Sequence, residues 1–186
     1  MDPVVWRDRI MGRAAMRLII TCCLLLSCLS ACTGVVAAAP PPGSATFVVV
    51  RHAEKADDGS LDPPLSTAGE ARAQALARRL AHSGLVAVYA TPFRRTQQTA
   101  QAVAASAGLP VTTYAADTVA AEFAATLRSH YPRGTVLVVG HSNTVPEIVA
   151  SLCRCRIAVL DENAYDGIYT VRIAPDGTAS LDVGRQ

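Results

Sequence analysis

Arg51, His52, Arg95 and His141 are the residues of this chain whose types suit them to joint chemistry, and Ser142 and Asn143 follow the second histidine directly. Guanidinium forks match the oxygens of a phosphoryl group two at a time. A neutral imidazole is a competent nucleophile towards phosphorus and gives a phosphohistidine that water later cleaves. Two arginines beside it would offset charge on the equatorial oxygens during transfer, where most of the barrier reduction for this reaction arises. The competing use of the histidines, zinc binding together with Glu54, is weaker because flanking arginines repel a cation. No metal and no cofactor is expected.

Each of the two histidines follows a short apolar run, Phe47 to Val50 and Val136 to Gly140. Such β-branched runs read as buried strands, and ligands of open α/β sheets sit beyond the carboxyl ends of their strands. From residue 45 strand and helix alternate. Strands are expected at 46–51, 86–90, 111–114 and 135–140. A helix is expected from Thr67, with capping-box spacing to Glu70 and an end at Gly84. A second runs from Phe93 to Ala107, with Thr91 as N-cap and Pro92 at its first position, and closes at Gly108. Asp117 is a plausible cap for a helix over 119–129, and Thr144 to Glu147 again has capping-box spacing, opening a helix to about Cys153. Two late strands, 168–173 and 179–183, flank a turn at Pro175 to Gly177 and read as a hairpin. Arg94 and Arg95 in a helix's first turn oppose its dipole at roughly 0.3–1 kcal/mol each, which an anionic ligand there would offset. One of the two is expected to point into solvent. His82 and His130, near helix ends, read as structural.

The first forty residues have another purpose. The chain of 186 residues is 51% hydrophobic and 17% charged, and much of the apolar excess lies in the run from Leu18 to Leu29. Arg7, Arg9, Arg13 and Arg17 precede that run, which is too short to span a bilayer comfortably, so the segment reads as an export signal. Leu29-Ser30-Ala31-Cys32 resembles the lipobox of bacterial lipoproteins, with Cys32 as the lipidated residue; an ordinary signal cut after a later alanine such as Ala39, or an uncleaved anchor, gives the same address. The expected organisation is a signal peptide over 1–32, a flexible tether over 33–44 containing Pro40 to Pro42, and one domain over 45–186. Without the leader thirteen basic and thirteen acidic residues remain. A neutral domain with no basic tract gives no reason to expect nucleic acid as partner. Of six cysteines only Cys153 and Cys155 fall in the domain, read first as helix-end packing residues and second as a strained or redox-labile pair.

Four segments carry a resemblance to a known family: Arg51 to Lys55, Leu65 to Gly69, Thr91 to Thr99, and Gly140-His141-Ser142. In this order they resemble the signature segments of the histidine phosphatase superfamily, also called phosphoglycerate mutase-like. The resemblance implies a three-layer α/β/α sandwich, its sheet mostly parallel with late edge strands. It implies His52 as the phosphorylated nucleophile, and Arg51, Arg95 and His141 as the rest of the phosphate pocket, with Ser142 and Asn143 as further donors. Arg95, not Arg94, takes the family's helix position because Arg95-Thr96 stands at the expected offset from Thr99. Family members acting on alcohol or sugar phosphates usually carry a general acid, often a glutamate after the third strand. Here Glu54, Asp117 and Glu122 compete for it. Asp117 reads equally as a helix cap, Glu122 as a solvated face, and Glu54 as a partner of Lys55 or of an arginine. The long insertions of the mutases are missing, which favours hydrolysis. The expected protein is an exported, periplasmic, membrane-anchored phosphatase of a small phosphorylated substrate; the alternative is a non-catalytic phosphate-binding or anion-binding lipoprotein of the same fold.

Overall fold

The computed structural model describes residues 43–186, so the expected signal peptide, Cys32 and most of the tether lie outside the described residues. One six-stranded sheet organises the domain, in the order β3-β2-β4-β1-β5-β6. Its parallel part comprises β1 (Ala45–Arg51), β2 (Leu85–Ala90), β3 (Val111–Thr113) and β4 (Gly134–Gly140). On the far side β5 (Gly167–Ile173) runs antiparallel to β1, and β6 (Ala179–Arg185) forms the edge. The two central strands are apolar on both faces because both faces are covered. Val49 and Val138 point to one layer, Val48 and Val139 to the other.

The helices divide between those layers. Helix α1 (Thr67–Leu80) and α2 (Arg94–Ala107) place Leu76, Leu80 and Val103 against Val48, Val50 and Leu137. On the other face α3 (Ala120–His130) and α4 (Thr144–Cys153) pack Phe123, Leu127, Ile148 and Leu152 against Phe47, Val136 and Val171. The result is the expected three-layer α/β/α sandwich, mostly parallel, with antiparallel late strands.

Four expected caps fall elsewhere. α1 is capped by Ser66, whose hydroxyl accepts from the Gly69 amide at 3.1 Å, one residue before the expected start. Ser66 is fixed there because its own amide donates to the Glu54 carbonyl at 2.9 Å. Thr91 does not cap α2, whose N-cap is Phe93 without a side-chain bond; the first helical amide, Arg94, instead donates to the Asp62 carboxylate at 3.0 and 3.2 Å. Asp117 caps nothing, since α3 begins after Val119 with no side-chain bond. Thr144 opens α4 but turns its hydroxyl back to accept from the His141 amide at 3.0 Å, so no capping box forms. Cys153 and Cys155 are joined in a disulfide rather than packing separately. Arg154 between them takes the left-handed conformation that ends α4, and this folds the chain back until the two Cα atoms are 5.2 Å apart, within bridging range.

Candidate functional site

Strand register assembles the site. Arg51 pairs with Gly140 and Ala90 with Val139, so the parallel strands β1, β4 and β2 end within one residue of one another. The next residues, His52, His141 and Thr91, therefore leave the sheet side by side, and the His52 amide donates to the Gly140 carbonyl at 3.0 Å. A cleft of about 310 Å³ opens above these ends, lined among others by Arg51, His52, Arg95, His141, Ser142 and Asn143. The expected nucleophile and the five residues expected to bind phosphate thus meet at one cavity. Arg94 is exposed instead.

His52 is 3% exposed at the floor of this cleft. Its Nδ1 lies 2.8 Å from the Ala53 carbonyl, which only accepts, so Nδ1 carries the proton and Nε2 keeps its lone pair. Arg95 Nε donates to that Nε2 at 3.3 Å. Burial is the main cause holding the imidazole's pKa down at about 4; the Ala53 bond opposes it, while Arg51, Arg95 and His141 add to it. His141 is likewise lowered to about 4, first by burial, then by Arg95 and Arg51. Both rings are neutral at pH 7, their centroids 5.5 Å apart. Neutrality is what a histidine nucleophile requires.

The arginines are held from behind. Arg51, 5% exposed, donates through Nη1 to the carbonyls of Asp161, Glu162 and Ala164 at 3.2, 2.6 and 3.4 Å, and its guanidinium lies 4.2 Å from the Tyr165 ring. Arg95 stacks 4.6 Å from the Phe93 ring and pairs with Asp62 at 3.4 Å. Asp62 therefore answers the cost of two cations at the start of α2, both as cap and as counter-ion.

The remaining motif residues are staples. Thr99 Oγ1 accepts from the Ala53 amide at 3.0 Å and donates to the Arg95 carbonyl at 2.7 Å, tying α2 to the end of β1. Gln98 accepts from the Leu65 amide at 2.7 Å. Gly69 sits where an added Cβ would be 2.1 Å from the Glu54 carbonyl oxygen, so only glycine lets α1 approach the segment after His52.

Of the three carboxylates expected to compete for a proton-donor role, none lines the cleft. Glu54 faces away from it and is gripped by Arg72, Nη2 to Oε1 at 2.6 Å and Nε to Oε2 at 2.9 Å; this bond is the chief cause keeping its carboxyl below the ordinary range. Asp117 and Glu122 are exposed, and Ala116 is the residue beyond β3 that reaches the cleft wall. Sequence reasoning missed two contributors. Thr91 is wholly buried, and its hydroxyl lies 2.9 Å from His141 Nε2 and 2.8 Å from Thr96 Oγ1. Glu162, on the long connection between α4 and β5, reaches Ser142 Oγ at 2.6 Å and Arg51 Nη2 at 3.2 Å. The Thr91 spacing suited a helix cap, which hid its other use; Glu162 belongs to no motif and follows no strand, so nothing local marked it.

Residues 47–116 match the family model of the histidine phosphatase superfamily, branch 1. The matched stretch runs from β1 through α2 to the loop beyond β3, and so takes in Arg51, His52 and Arg95. Among solved structures the chain is similar to the protein histidine phosphatase SixA complexed with tungstate, at 22% identity and a TM-score of 0.61, over 75% of this chain and 96% of that one. It is also similar to a mycobacterial glucosyl-3-phosphoglycerate phosphatase, at 17% and 0.59 over 76% and 99%. A phosphoserine phosphatase from Entamoeba histolytica, solved with 3-phosphoglyceric acid, matches at 14% and 0.54 over 76% and 98%. At these identities the likeness is one of fold. No curated protein matches the chain.

Proposed function

We propose that residues 45–186 form a phosphatase that hydrolyses a small phosphomonoester through a phosphohistidine on His52, and that the chain is exported and held at a membrane, in the periplasm, by lipid on Cys32. One observation carries the catalytic part: a buried, neutral imidazole presents Nε2 to a cleft that also receives two guanidiniums and a second imidazole. The Nε2 lone pair attacks phosphorus, Arg51 and Arg95 hold the equatorial oxygens, and His141, Ser142 and Asn143 supply further contacts. The oxyanions named with the fold's relatives, tungstate and inorganic phosphate, are of the kind such a cleft would take. The basic, apolar and Leu29-Ser30-Ala31-Cys32 segments support the address. An exported domain meets small phosphomonoesters rather than cytoplasmic phosphoproteins.

Rapid quenching during turnover of a phosphomonoester should trap acid-labile phosphate on wild-type protein and none on His52→Ala. A His52→Ala variant that still turns over would reject the reading. Phosphate that binds tightly without release from any ester would favour the non-catalytic binder. For the address, Cys32→Ala should move the protein from the membrane fraction to the soluble one; unchanged fractionation rejects the lipid anchor.

A further inference from the structure

Cleaving an alkyl phosphate expels an alkoxide unless a proton meets the leaving oxygen, so the cleft of a phosphomonoesterase needs a donor. This inference rests on the phosphatase reading above. His52 and His141 are both neutral, with His52 committed as nucleophile. Glu54 is turned away and held by Arg72. Among the described residues Glu162 is the single carboxylate on the wall of the cleft. Its position fits the direction of the reaction. Attack from Nε2 at the floor drives the leaving oxygen towards the mouth, and Glu162 stands there, its side chain 79% exposed. Its two oxygens engage Ser142 Oγ and Arg51 Nη2, donors that an incoming phosphate would recruit for itself.

Those contacts, Ser142 first and Arg51 second, hold the carboxyl below its ordinary range. A bound phosphate removes both donors and adds negative charge alongside. Each change favours the protonated carboxyl, and a phosphomonoester monoanion brings the proton with it. We propose that Glu162 is the proton donor to the leaving group, and that the substrates are alkyl phosphomonoesters. The N–P bond forms from the Nε2 lone pair of His52 while the P–O bond breaks, its electron pair passing to the oxygen, which takes the proton of Glu162. An alcohol departs, leaving phosphohistidine and a carboxylate. Water then attacks phosphorus and gives a proton to Glu162 as the N–P bond breaks, returning the lone pair to Nε2 and releasing inorganic phosphate.

The test is the leaving-group dependence of kcat/KM, which reports phosphorylation of His52 whatever limits turnover. Wild type and Glu162→Gln are compared on p-nitrophenyl phosphate, whose phenolate leaves unaided, and on glycerol 3-phosphate. The variant should lose about 10²–10⁴-fold on the alkyl ester, as general acid catalysis commonly contributes, and far less on the aryl ester. Equal losses on both, an undiminished alkyl rate, or faster cleavage of both by a side chain that merely blocked the mouth would each overturn the proposal. A wild type that cleaves the aryl ester but not the alkyl one overturns it alone. A wild type that cleaves neither, with no labile phosphate on His52, overturns the phosphatase reading as well.

Discussion

Acidification should expose the neutral state of His52 as a measurable share of stability. The ring's pKa falls from 6.5 to about 4 in the fold, mainly through burial. Between those values the unfolded chain binds a proton that the folded one refuses. The stability contributed by the neutral ring is therefore fully present above pH 6.5 and is lost as pH falls through 4. Integrating between the two values gives a loss of about 2 kcal/mol by pH 5 and about 3 kcal/mol when complete. For a domain of this size the loss by pH 5 corresponds to roughly 4–8 °C in Tm. Thermal melts of wild type and His52→Asn between pH 8 and pH 5 isolate it, because His141, displaced in the same direction, remains in both. Glu54 does not interfere: its carboxyl is held below 4.5 by Arg72, so its stabilisation is present above that value and is lost only at lower pH. A wild-type-minus-variant difference that stays flat from pH 8 to 5, or a His52 ring that titrates near 6.5 by NMR, would refute the reasoning. The ring would then be solvated in the fold, and the assignment of its lone pair to the cleft would go with it.

Thr91→Val removes the hydroxyl that meets His141 Nε2 and should cost about 1–3 kcal/mol by leaving a buried nitrogen unpaired. It should also lower kcat more than it raises KM, with Thr91→Ser restoring both; a valine variant with wild-type kinetics would show that His141 needs no such partner. Glu54→Gln weakens the bond to Arg72 outside the cleft and should cost no more than about 1 kcal/mol in denaturant titrations. It should keep kcat/KM within about tenfold of wild type, whereas the general-acid role would demand a loss of about 10²–10⁴. Gly69→Ala forces a methyl group into the Glu54 carbonyl and should destabilise by about 1–3 kcal/mol or more, read as a lower urea midpoint at unchanged slope; unaltered stability would mean that α1 can move away freely.

The readable parts of the site are those fixed by strands. A buried strand fixes where its last residue stands, and pairing brings neighbouring ends level, so Arg51, His52 and His141 were legible from two apolar runs and the polar residues that follow them. Arg95 was legible through the resemblance of the segment from Thr91 to Thr99 to the family's helix motif, whose Thr99 in the fold ties α2 to Ala53. Caps were less legible. Thr91, Asp117 and Thr144 have the right chemistry and spacing for a helix start, but a hydroxyl or carboxylate bonds to whatever amide or ring the tertiary structure brings within reach. Thr91 meets His141, fifty positions along the chain, while Asp62 from a distant loop supplies the missing cap of α2. Glu162 and Tyr165 were invisible for a related reason: they sit on a connection without regular structure, and only the folded chain brings them against Arg51.

That connection explains how two guanidiniums are held in place beside two imidazoles. Left alone, two cations over neutral rings would repel each other and swing into water. Arg51 cannot swing, because three backbone carbonyls hold Nη1, a carboxylate holds Nη2 and the Tyr165 ring covers its face. Arg95 is fixed between Phe93, Asp62 and His52 itself. The counter-charges are placed at the mouth and behind the arginines, not at the floor where His52 presents Nε2. Arg51 Nε, moreover, is a buried donor with no partner among the described residues, a deficit of about 1–3 kcal/mol that a phosphoryl oxygen is suited to fill. On the proposed reading, part of the interaction energy would be released only when a phosphoryl group meets that donor, which would direct binding to the group positioned for attack rather than to the alcohol.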